Sequence, residues 1–253
     1  MNRRDLLKAG VAACATGAMG CARVAPSDQL PWSESPSPSP QQLDWQTAAM
    51  GMFVHFGVNT YSDREWGLGT EDPASFNPLS FDARQWVRTA KSAGCKYIVL
   101  TAKHHDGFCL WPSRVTDHSV KSSRWRFGNG DVVRDLADAA RDAKMGLGLY
   151  LSPWDRNAAS YGTGGAYNDF YIAQLTELLS GYGPITEVWF DGANGEGPNG
   201  RRQAYDWARI RLTVRRLQPD ALIFSDAGPD IRWIGNERGI AGDPNWCTVD
   251  PKI

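Results

Sequence analysis

The sequence has few cysteines, no long apolar run and almost no net charge. Its 253 residues include five cysteines and have a formal net charge of −1. Because no uncharged apolar stretch reaches the roughly 18 residues that a spanning helix needs, we expect no transmembrane helix. The near-zero charge also argues against a nucleic-acid-binding protein that relies on a global positive field. A hydrophobic share of 42% excludes a wholly disordered chain.

The cysteines show no metal-ligand spacing. Cys14 and Cys21 belong to an N-terminal leader, which leaves Cys95, Cys109 and Cys247 in the rest of the chain. This odd number does not indicate a disulfide framework, although one pair is free to form after export. Tryptophan, by contrast, is abundant, with 11 residues. Tryptophan-rich soluble chains often bind flat, partly apolar ligands such as sugars.

The first 21 residues have the pattern of an export signal. Arg3 and Arg4 precede a short run of small and apolar residues that ends at Cys21, as in twin-arginine signals. An ordinary amphipathic N-terminal helix is the alternative. The signal predicts a product in the periplasm, or one anchored to the bacterial cell envelope through a lipid on Cys21; the sequence leaves both open.

A Pro/Ser-rich linker follows at residues 22–42, and a catalytic domain occupies residues 43–253. The linker contains alternating serine and proline at 35–40 and has no apolar face. From residue 43 onward, short apolar runs alternate with amphipathic segments. We expect strands at 51–56, 96–101, 146–151, 186–190 and 221–225, and helices at 81–93, 132–144, 167–182 and 203–217.

Strands that alternate with helices predict a parallel α/β sheet. No glycine-rich phosphate fingerprint follows the first strand, which counts against a dinucleotide-binding fold. Polar and aromatic residues instead follow successive strands: His104-His105-Asp106, Trp154-Asp155, Asp191-Gly192 and Ser225-Asp226. Chemistry at the carboxyl ends of successive parallel strands is typical of the (β/α)₈ barrel. We therefore predict a TIM-type barrel, truncated after about five strands.

Two of these clusters have alternative interpretations when they are considered alone. Asp191 ends an apolar run, and an Asp-Gly pair at such a point is also ordinary turn chemistry. His104, His105 and Asp106 suggest a metal-dependent hydrolase, but adjacent histidines on one strand are expected to point to opposite faces. We therefore predict no metal site and no cofactor.

Four motifs in this order resemble glycoside hydrolase family 29, the retaining α-L-fucosidases. They are Met50-Gly51-Met52-Phe53-Val54-His55-Phe56-Gly57, Glu65-Trp66, Lys103-His104-His105-Asp106-Gly107-Phe108-Cys109-Leu110-Trp111 and Trp189-Phe190-Asp191-Gly192. The likeness covers about residues 43–250. Two features depart from the family pattern: Phe56 stands where tryptophan is usual, and the later barrel strands and C-terminal β-sandwich are missing.

The resemblance implies roles for individual residues. Asp191 matches the nucleophile, and Glu237 matches the acid/base of the subfamily that acts on α1,3/4-linked fucose. Residues that match sugar contacts are His55, Glu65, Trp66, His104, His105, Trp189 and Arg232. Two carboxyl groups about 5 Å apart are what retaining glycoside cleavage needs.

The predicted function is accordingly that of a retaining exo-glycosidase that releases terminal α-L-fucose, most like the α1,3/4-fucosidases, by double displacement. Its expected partner is a fucosylated oligosaccharide or glycoconjugate, with no nucleic acid; the oligomeric state is left open. The alternative is a non-catalytic glycan-binding protein on a truncated barrel.

Overall fold

A computed structural model describes residues 37–226, 229–234 and 238–240. The compact unit that contains nearly all of them begins at Pro38. The predicted leader at residues 1–21 lies outside the described residues, as does Cys247. Among the described residues, no helix is long and apolar enough to cross a membrane.

The described chain alternates strands and helices. The α-helices are α1 (Pro40–Ala48), α2 (Ala83–Ser92), α3 (Val132–Asp142), α4 (Gly165–Gly181) and α5 (Trp207–Leu217). Short 3₁₀ helices lie at Val58–Tyr61, Pro73–Ser75, Val120–Ser122 and Trp125–Gly128. The strands are β1 (Gly51–Val54), β2 (Tyr97–Lys103), β3 (Gly146–Leu151), β4 (Glu187–Trp189), β5 (Leu222–Ser225) and β6 (Ile231–Arg232). All five predicted strands and all four predicted helices are confirmed.

One described strand and one described α-helix were not predicted. Strand β6 pairs with β5, so the described sheet has six strands rather than five. At only two residues, β6 is too short to produce a recognisable apolar run. Helix α1 begins at Pro40, inside the predicted linker of 22–42. Ser39 accepts a hydrogen bond from the Gln42 backbone N–H, which makes a local N-cap from what reads as linker composition.

The six strands are parallel and follow chain order across the sheet. The sheet is curled. This is shown by the Phe53 ring on β1, which lies 5.5 Å from the Trp189 ring on β4 although β4 is three strands away in the sheet order. The helices α2 to α5 cover one side with residues such as Val87, Leu136, Leu175 and Val214, which are buried against the strands. A curled, all-parallel sheet with helices outside is part of a TIM-type barrel.

Helix boundaries follow local capping chemistry. Asp82, Asp131 and Asp206 each accept a hydrogen bond from the backbone N–H three residues later, at the starts of α2, α3 and α5. The Asp206 cap explains why α5 begins at Trp207 rather than at the predicted residue 203. The loops that follow the strands meet at one edge of the sheet.

Candidate active site

Asp191 lies just after β4, where its carboxylate is held by two hydrogen bonds. The Tyr150 hydroxyl donates to Oδ2 at 2.8 Å, and the Ala193 backbone N–H donates to Oδ1 at 2.7 Å. The side chain of Asp191 is 25% exposed. Asp191 is therefore a fixed carboxylate that a ligand can still reach, and not only a turn residue.

Three histidines gather beside Asp191. The His104 ring centroid lies 4.3 Å from that of His55 and 4.0 Å from that of His105. His105 Nε2 lies 3.9 Å from Asp191 Oδ2, which is too long for a direct hydrogen bond. The structure therefore brings these three predicted histidines together beside Asp191.

The expectation that His104 and His105 point to opposite faces is wrong. Strand β2 ends at Lys103, and the two histidines lie in a turn closed by the hydrogen bond from Gly107 N to His104 O at 3.0 Å. Strand alternation no longer applies in a turn, so both rings lie on the same side. No group of three or more metal-ligating side chains is arranged to hold a metal ion in the described part of the chain.

Burial keeps the two adjacent histidines neutral. Burial first, and then the neighbouring imidazoles of His105 and His55, lower the pKa of His104 to about 2. Burial also lowers the pKa of His105 to about 4, although the charge of Asp191 opposes this shift. Burial also lowers the pKa of His55, and the charges of Asp191 and Glu65 oppose this shift. A neutral imidazole can both donate and accept a hydrogen bond, as adjacent sugar hydroxyls require.

The hydrogen bonds around Ser152 fix which nitrogen of His105 faces the site. The Ser152 hydroxyl donates its one hydrogen to the Trp154 carbonyl at 2.7 Å. The 2.7 Å contact between His105 Nδ1 and Ser152 Oγ is then donated by the histidine. His105 Nε2 is consequently left as an acceptor on the side of Asp191.

Aromatic rings line two sides of the site that contains these histidines. Trp154 lies 4.8 Å from His105, and the ring of Trp66, which is 48% exposed, lies 6.1 Å from His105. On the other side, Trp189 lies 5.1 Å from Tyr150 and stacks on Phe224 at 4.6 Å. Such faces suit the apolar C–H side of a sugar ring.

The structure brings together seven of the nine predicted site residues, counting the exposed Glu65, whose charge acts on His55. Arg232 lies in β6, half-buried and in register with Ser225. The predicted acid/base Glu237 lies outside the described residues.

Asp226 was noted in the sequence without a role. Its pKa is raised by burial and by the charge of Asp191, which places it beside the predicted nucleophile.

The sequence analysis missed Tyr150 and Ser152 as site residues, and it named Trp154 at a strand end without giving it a role. Tyr150 lies within an apolar strand run, where a tyrosine is read as core. Tyr150 and Ser152 are two residues apart at the end of β3, so they share one face, and that alternation was the available signal.

Comparison with known proteins identifies the family of this chain. The sequence model of the alpha-L-fucosidase family matches residues 70–233. Alpha-L-fucosidase 1 of Arabidopsis thaliana is 57% identical over 212 residues, which are 83% of this chain and 41% of the plant protein. The chain thus spans less than half the length of this curated relative.

Two solved structures are also similar. A glycoside hydrolase 29 family member from an unknown rumen bacterium has a TM-score of 0.77 and 50% identity over 83% of this chain and 40% of its own. A Ruminococcus gnavus fucosidase of the same family, solved in complex with fucose, has a TM-score of 0.73 and 38% identity over 83% of this chain and 47% of its own. With its family match, its fold and its clustered histidines beside Asp191, the chain belongs to the alpha-L-fucosidase family.

Proposed function

We propose that the chain hydrolyses terminal α-L-fucose from glycans with retention of anomeric configuration, and that Asp191 is its nucleophile. The observation that carries the proposal is the Asp191 carboxylate, which is fixed by Tyr150 and Ala193 next to the cluster of His55, His104 and His105. A nucleophile on the end of a rigid strand is held in place for attack, which lowers the entropic cost of reaction.

In this mechanism an Asp191 oxygen attacks the anomeric carbon of fucose. The new carbon–oxygen bond forms as the glycosidic bond breaks, and an acid protonates the departing glycan oxygen. A water molecule then attacks the same carbon, gives its proton to the conjugate base of that acid, and releases Asp191. We assign the acid/base role to Glu237, on the family resemblance of the segment around it.

The histidines and the tryptophans would bind the sugar. His105 Nε2 is an acceptor for a hydroxyl hydrogen, by the hydrogen-bond arrangement at Ser152. The Nδ1 atom of His104 is buried without a hydrogen-bond partner among the described residues, and such an atom is satisfied by a ligand hydroxyl. Trp66 and Trp189 offer ring faces, while Glu65 and Arg232 contribute charged contacts at the rim.

We further propose α1,3- or α1,4-linked fucose as the substrate, because the segments around residues 226–239 and 245–246 resemble that subfamily. The test is hydrolysis of α1,2-, α1,3- and α1,4-fucosylated oligosaccharides by the full chain. Faster release from the α1,2-linked compound would overturn the linkage proposal and leave the fucosidase proposal standing.

The nucleophile is tested by Asp191→Ala. Turnover of an aryl α-fucoside should fall to background, and added azide should restore part of it with inverted configuration, because the vacated space admits a small anion. Asp169→Ala is the matched control, since that carboxylate is 69% exposed and pairs with Arg209 on the helices. Near-wild-type rates in Asp191→Ala would exclude this residue as nucleophile; retained fucose binding without turnover in the wild-type chain would favour the glycan-binding alternative.

Export remains a proposal that rests on Arg3, Arg4 and Cys21. We propose that the chain is processed at or before Cys21 and retained in the periplasm or at the cell envelope. Mass spectrometry of the cell-derived protein is the test. A cytoplasmic product that still begins at Met1 or Asn2 would contradict the proposal.

A further inference from the structure

Lys103 is the last residue of β2, and its side chain is completely buried. The pairing of β2 with β3 shifts register between Thr101 and Lys103, so that Lys103 lies opposite Leu151. Tyr150, the preceding residue on β3, faces the interior rings of Phe53 and Trp189. By alternation, Leu151 and Lys103 therefore face the helices and not the sugar pocket.

The Lys103 ammonium has two hydrogen-bond acceptors. Its Nζ donates to Asp155 Oδ2 at 2.8 Å and to Gln174 Oε1 on α4 at 2.9 Å. Three rings of α4 surround it at 5.5–6.0 Å: Tyr167, Phe170 and Tyr171. Within the described part of the chain, the Lys103 ammonium is therefore completely enclosed by protein.

Asp155 connects this cation to the loops that build the site. Its second oxygen, Oδ1, accepts hydrogen bonds from the backbone N–H groups of Asn157 and Ala158, at 2.9 and 2.8 Å. The Asn157 side chain in turn donates to the Gly69 carbonyl at 2.8 Å, in the loop that carries Glu65 and Trp66.

The turn that carries His104 and His105 also lies against Asp155. A Cβ on Gly107 would lie 2.5 Å from Asp155 Oδ1, and Gly107 has a φ of +78°. Only glycine fits that close approach and that backbone conformation without strain. The loops after β1 and β2 therefore both lie against the Asp155–Asn157 segment of the loop after β3.

Two backbone hydrogen bonds connect Lys103 and the Asp155 loop to His105 and its partner Ser152. The Ser152 N–H donates to the Lys103 carbonyl at 2.9 Å, and the Arg156 N–H donates to the His105 carbonyl at 2.9 Å. Ser152 is the residue whose hydroxyl receives His105 Nδ1–H. The position of Ser152, and with it the orientation of the His105 ring, depends on where β2 and the Asp155 loop are held.

A buried ion pair is weak evidence for stability. Desolvating both charges offsets much of their attraction, and apolar residues of similar volume often stabilise a fold equally well. The Lys103–Asp155 pair therefore calls for a reason other than stability, and the shared contacts with the three loops supply one.

We propose that Lys103, through Asp155, is a positioning residue that holds His105 with Nδ1 on Ser152 and Nε2 turned toward Asp191 as an acceptor for a fucose hydroxyl. The inference deepens the proposed function and rests on it for the identity of the ligand. The charge of Lys103 acts in the same direction, because it adds to the burial that lowers the pKa of His105 and so keeps Nε2 unprotonated.

The first experiment measures the state of His105 directly, without turnover. The chain has only four histidines, so ¹⁵N-histidine spectra are tractable, and a His105→Gln sample identifies the signals. In the wild type, His105 should be the Nδ1–H tautomer and should not titrate above about pH 5. In Lys103→Met/Asp155→Asn, which removes both charges and keeps an acceptor for Asn157 and Ala158, we expect mixed tautomers and titration at higher pH.

The second experiment measures fucose binding by calorimetry in the same samples. The double variant should bind fucose about tenfold more weakly or worse, because the hydroxyl loses its aligned acceptor. Glu177→Gln is the control. From α4, Glu177 also anchors a loop, by accepting hydrogen bonds from Trp111, Ser113 and Arg114, and within the described chain none of these bonds involves the Asp155 loop. This control should lower thermal stability and leave fucose affinity and the His105 spectrum unchanged.

The outcomes separate the two proposals. A wild-type chain that binds no fucose contradicts the proposed function, whereas the His105 spectra still test Lys103. An unchanged His105 tautomer and unchanged affinity in a folded double variant overturn the role of Lys103. If the double variant does not fold, Asp155→Asn alone keeps the side-chain shape; it should shift the same signals, and an unchanged spectrum there also overturns the role.

Discussion

Tyr150 donates a hydrogen bond of 2.8 Å to Asp191 across two neighbouring strands. Burial, followed by the charge of Asp191, raises the pKa of the Tyr150 hydroxyl far above its usual value, so this group is always a donor. The predicted nucleophile is thus oriented by a residue 41 positions earlier in the chain.

We expect Tyr150→Phe to lower kcat without unfolding the protein. A hydrogen bond to a charged group contributes about 1.5–3 kcal/mol, which corresponds to roughly ten- to hundredfold in rate. Tyr182→Phe is the matched control, because Tyr182 donates a similar bond of 2.9 Å to Asp131 at the start of α3. The control should lose some stability and no activity. Equal rates for wild type and Tyr150→Phe would show that Ala193 alone suffices to orient Asp191.

Gly192→Ala should disturb the site although it adds one methyl group. A Cβ there would lie 1.7 Å from Asp226 Oδ2, so either the Asp191–Gly192 segment or Asp226 must move. We expect a fall in kcat together with a loss of stability of about 1–3 kcal/mol. Gly181→Ala, at the end of α4 with nothing within 4 Å of its Cβ, should instead stabilise by about 0.5–1 kcal/mol. Chemical denaturation and steady-state kinetics of both variants provide the comparison.

Glu187 predicts a pH dependence of stability at the opposite end of β4. It is 3% exposed and accepts a 2.8 Å hydrogen bond from the Trp45 indole of α1. Burial raises its pKa from 4.5 to about 7, and the Trp45 bond opposes that shift. The folded state binds the proton more tightly than the unfolded state, so this contribution is complete below about pH 4.5 and is lost as pH rises to about 7.

The shift corresponds to about 3 kcal/mol, to order of magnitude. Urea unfolding at about pH 5 and pH 8 should show that Glu187→Gln removes this part of the wild-type pH dependence. Trp45→Phe, which deletes the opposing hydrogen bond, should move the loss of stability to higher pH. Parallel pH profiles for wild type and Glu187→Gln would contradict the prediction.

Phe127 has an unfavourable position that a single substitution should relieve. It is 97% exposed and has a φ of +56°, in the left-handed region. An L-residue there costs roughly 1–2 kcal/mol, and the exposed ring gains no burial in return. Phe127→Gly should raise the free energy of unfolding by about 0.5–1 kcal/mol.

Leu79→Gly is the control for Phe127→Gly. Leu79 is 85% exposed but does not have a positive φ, so the added flexibility of glycine should lower stability slightly. Thermal unfolding of the two variants should therefore shift in opposite directions. A destabilised Phe127→Gly would contradict the prediction and would mean that the Phe127 ring stabilises the folded state.

Much of the fold and part of the site could be read from the sequence. The runs at 97–103 and 146–151 are strands because buried parallel strands are short and apolar throughout, a pattern that is local in the chain. The clusters at 104–106 and 191–192 could be assigned to one edge because parallel strands all end on the same side. Strand β6 and helix α1 escaped prediction, since neither has a distinctive apolar period.

Only the tertiary structure decided the contacts that orient these groups. Tyr150 and Asp191, Lys103 and Asp155, and Trp45 and Glu187 are separated by 41, 52 and 142 positions. Whether such pairs meet depends on strand register, and the shift between Thr101 and Lys103 decides that Lys103 faces the helices while His104 and His105 turn toward Asp191. Local composition and periodicity determined which segments form strands and where their chemistry gathers; the register and the turns determined which atoms touch, because a shift of one residue reverses the face of every side chain beyond it.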